Sequence, residues 1–194
     1  MQFVFATNNG NKIKEVKKLM PEHITLLSLN DIGCFEDIPE TQNTISGNAI
    51  QKATYVKEKY GYNCFADDTG LEVDALNGEP GVYSARYAGE QCNANDNMNK
   101  LLDKLAHTKN RKAQFKTVIA LTLNGKLHTF TGLCEGNITL EKKGTQGFGY
   151  DPIFQPNGYT QTFAELDLEL KNKIGHRGKA ISKLIEFLNS HSNK

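Results

Sequence analysis

Residues 63–75 read NCFADDTGLEVDA, an apolar run that ends in two adjacent carboxylates and is followed by a second strand-like run. The second run alternates apolar and acidic residues, the period-two pattern of a half-buried strand. Asp67 and Asp68 are therefore predicted at a junction of two strands, where Gly70 allows the backbone to bend. Neighbouring side chains on a strand point to opposite faces, so one aspartate is expected to face the chemistry while the other supports it. Taken alone, these residues are also typical of a solvated turn.

The length and composition of the chain predict one soluble globular domain. The 194 residues, interpreted as a single domain spanning 1–194, suffice for a sizeable core, and the hydrophobic fraction of 38% argues against a disordered chain. The formal net charge of +1 offers no electrostatic footprint for a long polyanion, so a nucleic acid polymer is not expected as a partner.

The cysteines and the N-terminal residues predict a cytoplasmic protein. The four cysteines are scattered without a Cys-x-x-Cys pair, which indicates neither a zinc ribbon nor a disulfide framework. Reduced cysteines in an intracellular protein are the simpler account. Residues 1–6 have no basic leader and too short an apolar run for a signal peptide, and no run in the sequence approaches membrane-spanning length. No membrane partner is expected.

Strand-like and helix-like segments alternate along the chain, which predicts an α/β fold. The clearest element is a long antiparallel hairpin, because Asn124-Gly125 separates two β-rich runs and this dipeptide is a strong hairpin signal. The other predicted strands are 3–6 and 24–29. The predicted helices are a first one over 13–20, where apolar residues recur at helical spacing, then 44–59, about 95–106, 162–173 and one that follows Gly178.

A polar loop between the first strand and the first helix is a candidate anion site. It reads Thr7-Asn8-Asn9-Gly10-Asn11-Lys12. A strand, a glycine-containing loop and a helix present backbone N–H groups and a positive helix end to an anion, and the lysine adds a full charge. The P-loop spacing is absent, so the loop also fits a plain connection between a strand and a helix.

Two glycine-flanked segments near the C-terminal end are candidate ligand contacts. Gly147 and Gly149 surround Phe148 and allow the backbone to approach something flat, either a neighbouring strand or a stacked base. His176 and Arg177 also lie between glycines, where they are placed to donate hydrogen bonds into a cleft, although a surface turn fits them as well.

The combination of motifs is more specific than any one of them. Thr7-Asn8-x-x-x-Lys12, Phe65 to Leu71 (FADDTGL), Pro80 to Tyr87 (PGVYSARY), Gly147 to Phe154 (GFGYDPIF) and His176-Arg177-Gly178 occur in that order. Together they resemble the inosine triphosphate pyrophosphatase family, which hydrolyses non-standard purine nucleoside triphosphates such as ITP, dITP and XTP. The resemblance extends from Phe3 to about Leu188. One departure is Gly175, because the family usually has serine before the His-Arg pair.

The resemblance implies an α/β fold with a long twisted mixed sheet flanked by helices, in two lobes with a central cleft. It also implies a homodimer and a Mg²⁺ cofactor. The reaction would convert a purine triphosphate and water into the monophosphate and pyrophosphate by attack at the α-phosphorus.

The family roles carry over residue by residue as expectations. Asp68 would be the general base, and Glu40 and Asp68 would bind Mg²⁺, with Asp67 supporting the metal through its shell. The phosphates would be held by the Thr7 to Lys12 loop, Lys52 and Lys171. Thr69 would contact substrate, Phe148 would stack on the purine within the segment that includes Gly149 and Tyr150, and Asp151, His176 and Arg177 would hydrogen-bond the purine edge.

Two alternatives stay open on the sequence alone. One is a related pyrophosphatase that acts on pyrimidine or modified nucleotides, against which the His-Arg donors and the Phe148 segment favour purine. The other is a nucleotide-binding protein without catalysis. The acidic residues and three lysines argue against it, since a binder would not need a cluster of a metal site and a base. Lys52 taken by itself is typical of a solvated surface charge.

Overall fold

Six strands form one mixed sheet in the computed structural model, which describes residues 1–191. The strand order is β2-β1-β3-β4-β5-β6, in which β1 is parallel to both β2 and β3 and β5 is antiparallel to β6. The mixed α/β sheet predicted from the sequence is confirmed. The strands are β1 (Gln2–Phe5), β2 (Thr25–Leu27), β3 (Cys64–Val73), β4 (Lys112–Leu123), β5 (Lys126–Ile138) and β6 (Phe154–Pro156).

In the described part of the chain five α-helices accompany the sheet, and side chains cap the first residues of four of them. Asn9, Thr44, Asn93 and Asp167 each accept hydrogen bonds from backbone N–H groups of the following turn, which otherwise lack partners. Among residues 1–191, no helix is long and apolar enough to cross a membrane. The helices are α1 (Gly10–Leu19), α2 (Ile45–Tyr60), α3 (Ala94–Lys104), α4 (Leu168–Ile174) and α5 (His176–His191).

The central acidic stretch is one strand of ten residues rather than a junction of two strands. β3 runs through Gly70 without a break because it lies beside β4 in the sheet, and pairing with that long strand keeps the backbone extended. The prediction of a bend at this glycine was wrong. Asp67 and Asp68 therefore lie within a rigid, buried strand, which is a firmer support for a site than a turn.

The hairpin prediction is confirmed, since β4 and β5 are joined by Asn124 and Gly125 alone. Both residues have positive φ, 50° for the asparagine and 76° for the glycine. This is the requirement of a type I′ turn, whose twist matches that of the paired strands.

Two predictions near the C-terminal end were wrong in detail. The helix expected over 162–173 begins only at Leu168, because Asp167 caps it by accepting a hydrogen bond from Leu170 N. The last helix begins directly at His176 and not after Gly178, so His176 and Arg177 lie in its first turn. The backbone of both residues is therefore helical, and it is this helix that sets the direction of their side chains.

The chain, predicted from the sequence to be a single domain, forms two compact units. Unit 1 comprises Met1–Asp68, Thr117–Gly132 and the described residues from Arg177 onward; unit 2 comprises Thr69–Lys116 and Leu133–His176. Each unit has its own apolar core. The core of unit 1 is contributed by β1, β3, β4, α1 and α5, and that of unit 2 by β3, α3, β4, β5, β6 and the segment around Phe163.

Candidate active site

Asp67 is surrounded by basic side chains within unit 1. Its Oδ1 accepts a hydrogen bond from the Lys12 ammonium at 2.9 Å, and its Oδ2 accepts one from Arg177 Nε at 3.0 Å. Its backbone carbonyl accepts a third from the Lys52 ammonium at 2.8 Å. Since only 1% of its side chain is exposed, Asp67 is a buried anion that three cations stabilise. The supporting role of Asp67 in catalysis stays a prediction.

Opposing effects set the pKa values of Asp67 and Lys12. Burial raises the pKa of Asp67, but Lys12, Arg177 and Lys52 outweigh burial and hold the pKa well below its ordinary value. For Lys12 the balance is reversed. Burial lowers its pKa, Asp67 raises it, and the nearby positive charges of Lys52 and Arg177 lower it again, so that the pKa lies below its ordinary value. The Asp67 carboxyl is therefore ionised at neutral pH and keeps the lysine in place.

Asp68, the next residue of β3, has the opposite electrostatic character. Burial raises its pKa above the ordinary value and Glu40 adds to the shift, although Lys52 and Lys12 oppose it. Its Oδ2 accepts a hydrogen bond from Asn48 Nδ2 at 3.3 Å. A carboxylate whose pKa is raised in this way is a better proton acceptor, as the predicted general base requires. The sequence interpretation had not identified the asparagine.

Glu40 and Asp68 form a donor set that suits a hard divalent cation. Glu40 accepts a hydrogen bond from the Lys52 ammonium at 2.6 Å and is 40% exposed. In addition to burial, its negative charge raises the pKa of Asp68, a repulsion that a cation would relieve. Among residues 1–191 no group of three or more His, Cys, Asp and Glu side chains is arranged to hold a metal ion. Mg²⁺ needs only one or two carboxylates when phosphates and waters complete its shell, so the pair fits it.

The candidate phosphate loop is ordered by its own polar side chains. Asn9 Oδ1 accepts hydrogen bonds from the backbone N–H groups of Asn11 and Lys12 at 3.0 and 3.2 Å, and Thr7 Oγ1 accepts one from Asn9 N at 3.2 Å. These contacts start α1 at Gly10 and direct the Lys12 side chain to Asp67. Phosphate binding by this loop, including Asn8, stays a prediction.

Arg177 lies among carboxylates in unit 1. Besides Asp67, it donates a hydrogen bond from Nη1 to Glu15 Oε2, and all three side chains are almost fully buried. The sequence interpretation missed Glu15. A signal was present, since Glu15 follows Lys12 by three residues and so shares its face of α1. The predicted contact between Arg177 and a purine edge stays a prediction.

A second cluster, within unit 2, surrounds the Phe148 loop. Asp151 Oδ2 accepts hydrogen bonds from Phe148 N and from the Lys171 ammonium, both at 2.7 Å. The same ammonium lies 4.9 Å from the centre of the Phe148 ring, within cation–π distance. At Gly147, with φ of 74°, a Cβ would lie 2.0 Å from that carboxylate oxygen, so this tight turn requires glycine.

The remaining predicted residues are distributed as follows. His176 is buried in unit 2, with its ring stacked 4.5 Å from that of Phe115. Tyr150 donates a hydrogen bond to Ser84 O at 2.8 Å, and burial raises its pKa. Thr69 follows Asp68 on β3 and is half-buried. The structure thus brings Lys12, Lys52, Glu40, Asp67, Asp68 and Arg177 together in unit 1, and Phe148, Asp151 and Lys171 together in unit 2.

Gly175 is expected to tolerate no side chain without a shift of the Lys171 backbone. Its N–H donates to Lys171 O at 2.8 Å, and a Cβ would lie 2.5 Å from that oxygen. We expect Gly175→Ala to lower the free energy of unfolding, measured with urea, by about 1–3 kcal/mol. Because Lys171 must move to make room for the methyl group, we also expect the KM for nucleotide to rise. Gly10→Ala, whose Cβ would meet nothing within 4 Å, is the stability control. Equal stability of both variants would contradict this account.

Comparison with known proteins agrees with this geometry. The Ham1 family model matches residues 3–187. A dITP/XTP pyrophosphatase of Flavobacterium johnsoniae is 69% identical over 188 residues, covering 97% of this chain and 98% of that protein. A protein of the same name from Flavobacterium psychrophilum is 66% identical, covering 96% and 98%. The solved Ham1 protein of Staphylococcus aureus has a TM-score of 0.91 and 41% identity, covering 98% of this chain and 100% of that chain. The chain therefore belongs to the Ham1 family, as the resemblance predicted.

Proposed function

We propose that this protein is a nucleoside triphosphate pyrophosphatase that hydrolyses non-standard purine triphosphates, namely ITP, dITP and XTP, to the monophosphate and pyrophosphate. The observation that carries the proposal is Asp68, a buried carboxylate of raised pKa beside Lys12 and Lys52. Relatives that are up to 69% identical over nearly the whole chain are named dITP/XTP pyrophosphatase, which supports the same reaction. Removing these nucleotides would keep them out of DNA and RNA.

The residues of unit 1 are assigned to the triphosphate and to the attacking water. The Thr7 to Lys12 loop and Lys52 supply positive charge for the phosphates, because phosphoryl transfer depends mainly on positioning and charge neutralisation. Asp68 takes a proton from water as the water oxygen bonds to the α-phosphorus. The bond from that phosphorus to the bridging oxygen then breaks, and pyrophosphate leaves with the electron pair.

A divalent cation, which we propose to be Mg²⁺, is assigned to Glu40 and Asp68. When bound, it would neutralise negative charge on the phosphates. Asp67 is proposed to support this site indirectly, because its two carboxylate oxygens already accept hydrogen bonds from Lys12 and Arg177. Its contribution is to hold these cations in place.

The Phe148 loop and the His176-Arg177 pair are assigned to the purine. Phe148 stacks on the base within the segment that includes Gly149 and Tyr150, and Asp151 holds this loop and Lys171 in position. Lys171 contributes positive charge to nucleotide binding. His176 and Arg177 donate to the six-position carbonyl of hypoxanthine or xanthine. Adenine carries an amino group at this position, so a hydrogen-bond donor of the protein would face a donor of the base. Such mispairing supports discrimination of about 10⁴ or more against adenine nucleotides.

Hydrolysis of a nucleotide panel tests the proposal directly. With Mg²⁺ present, dITP and XTP are expected to yield pyrophosphate, while dATP, dGTP and dUTP yield little. Pyrophosphate and orthophosphate are measured separately, because orthophosphate as first product would mean attack at another phosphorus. Pyrophosphate mainly from dUTP would favour a pyrimidine enzyme. Tight binding of dITP without any product would favour a nucleotide-binding protein.

We further propose that the enzyme is a cytoplasmic homodimer, as the family resemblance implies. Light scattering on the purified protein would give the mass of the particle. A mass near 21.6 kDa, that of one chain, would exclude the dimer.

A further inference from the structure

Helix α2 presents a polar face to the segment that carries Glu40. Gln51 accepts a hydrogen bond from Thr41 N and donates one to Thr41 Oγ1, both at 2.9 Å. At the C-terminal end of the helix, Glu36 Oε1 accepts hydrogen bonds from Tyr55, Lys59 and Tyr60. The segment 36–42 therefore runs antiparallel to α2 and is attached to it along three turns. These contacts decide where the Glu40 carboxylate lies.

Asn48 makes the last of these contacts and, like Lys52, also reaches β3. Its Oδ1 accepts a hydrogen bond from Gln42 N at 2.9 Å, and its Nδ2 donates to Asp68 Oδ2 at 3.3 Å. The side chain is 1% exposed, so water does not compete for either contact. One rigid amide thus connects the Glu40 segment to β3.

The two contacts explain why an asparagine occupies this position. A backbone N–H needs an acceptor and a carboxylate needs a donor, and a primary amide supplies both across one planar group. Aspartate would keep the acceptor but place a second negative charge against Asp68. An apolar residue of similar size would leave the Gln42 N–H and the Asp68 carboxylate without this partner.

We propose that Asn48 is a positioning residue, which holds Glu40 and Asp68 at the separation that a divalent cation requires. The proposal rests on the proposed function, because it assumes that these two carboxylates bind the cation. Asn48 itself touches neither phosphate nor water in the proposed reaction. Partners that orient ligating carboxylates typically change metal affinity or activity 10- to 100-fold when they are removed.

The test uses Asn48→Leu, which keeps most of the volume, and Asn48→Ala, which removes the amide with the least crowding. Mn²⁺ alone is the probe, and its free concentration is followed by electron paramagnetic resonance without nucleotide. We expect Mn²⁺ to bind both variants about 10- to 100-fold more weakly than the wild type. In dITP hydrolysis, kcat is expected to fall by a similar factor while the KM for dITP changes little, since the phosphate-binding lysines are intact.

Asn97→Ala is the matched control. Asn97 is likewise buried, with 3% exposure, and its amide accepts from Ala88 N and donates to Ala85 O within unit 2. Its loss is expected to lower Tm as much as Asn48→Ala while leaving Mn²⁺ affinity unchanged. Wild-type Mn²⁺ affinity and kcat in a folded Asn48→Leu variant would overturn the proposal. If the wild type released no pyrophosphate from dITP but Asn48→Leu still weakened Mn²⁺ binding, the proposed function would fail and the positioning role would stand.

Discussion

Replacing Asp68 by asparagine is expected to lower kcat for dITP hydrolysis by between ~10²- and ~10⁴-fold. The amide has almost the shape of the carboxylate but cannot accept a proton from water at neutral pH. It is also a poorer ligand for a hard cation than a carboxylate. The measurement is the initial rate of pyrophosphate release at saturating dITP and Mg²⁺.

Comparing the effect of Asp68→Asn on kcat with its effect on dITP binding distinguishes a general base from a binding residue. If Asp68 acts in the transition state, kcat falls while dITP binding, measured by calorimetry, changes by a few-fold at most. Asp103→Asn, which alters an exposed carboxylate of α3, is the control and is expected to keep full activity. A rate near that of the wild type in Asp68→Asn would move the base to another residue.

The architecture could be predicted because its signals are local. The hairpin follows from two residues, Asn124 and Gly125, whose positive φ is a property of their own backbone. The single strand through Gly70 could not be predicted, because pairing of β3 with β4, and not the glycine, decides the local conformation. The first residues of α5 were misassigned for a related reason, since only the fold shows that His176 continues into a helix.

The sequence predicted which kinds of side chain form the site, but not which of them contact each other. Lys12 and Asp67 are separated by 55 residues, and Arg177 and Asp67 by 110, so no local pattern connects them. The sequence likewise indicated that one aspartate acts and the other supports it. What distinguishes them is burial against particular charges, which raises the pKa of Asp68 and lowers that of Asp67. Asn48 emerged only from these contacts, and Glu15 was missed although its spacing from Lys12 was a signal.

Replacing Asp67 by asparagine is expected to lower the free energy of unfolding by about 3–5 kcal/mol at neutral pH. The partly buried Lys12 would then lose its carboxylate partner, and Arg177 would keep only Glu15 as the anion that offsets its burial. Urea unfolding in the presence of EDTA measures this loss on the metal-free protein. Asp103→Asn is again the control, and as a surface change it should shift the free energy by less than about 0.5 kcal/mol.

The stability difference between the wild type and Asp67→Asn should itself depend on pH. The pKa of Asp67 is lower in the folded protein than in the unfolded chain, where the ordinary value of 3.8 applies. The stabilisation from its charge is therefore fully present above about pH 5, starts to decline near pH 4, and is lost as the pH falls through the folded pKa. Unfolding experiments between pH 7 and about pH 2.5 should show the two proteins converging at the acid end. A difference that is constant over this range would mean that the Asp67 carboxylate is not the charge that holds Lys12 and Arg177 in the folded protein.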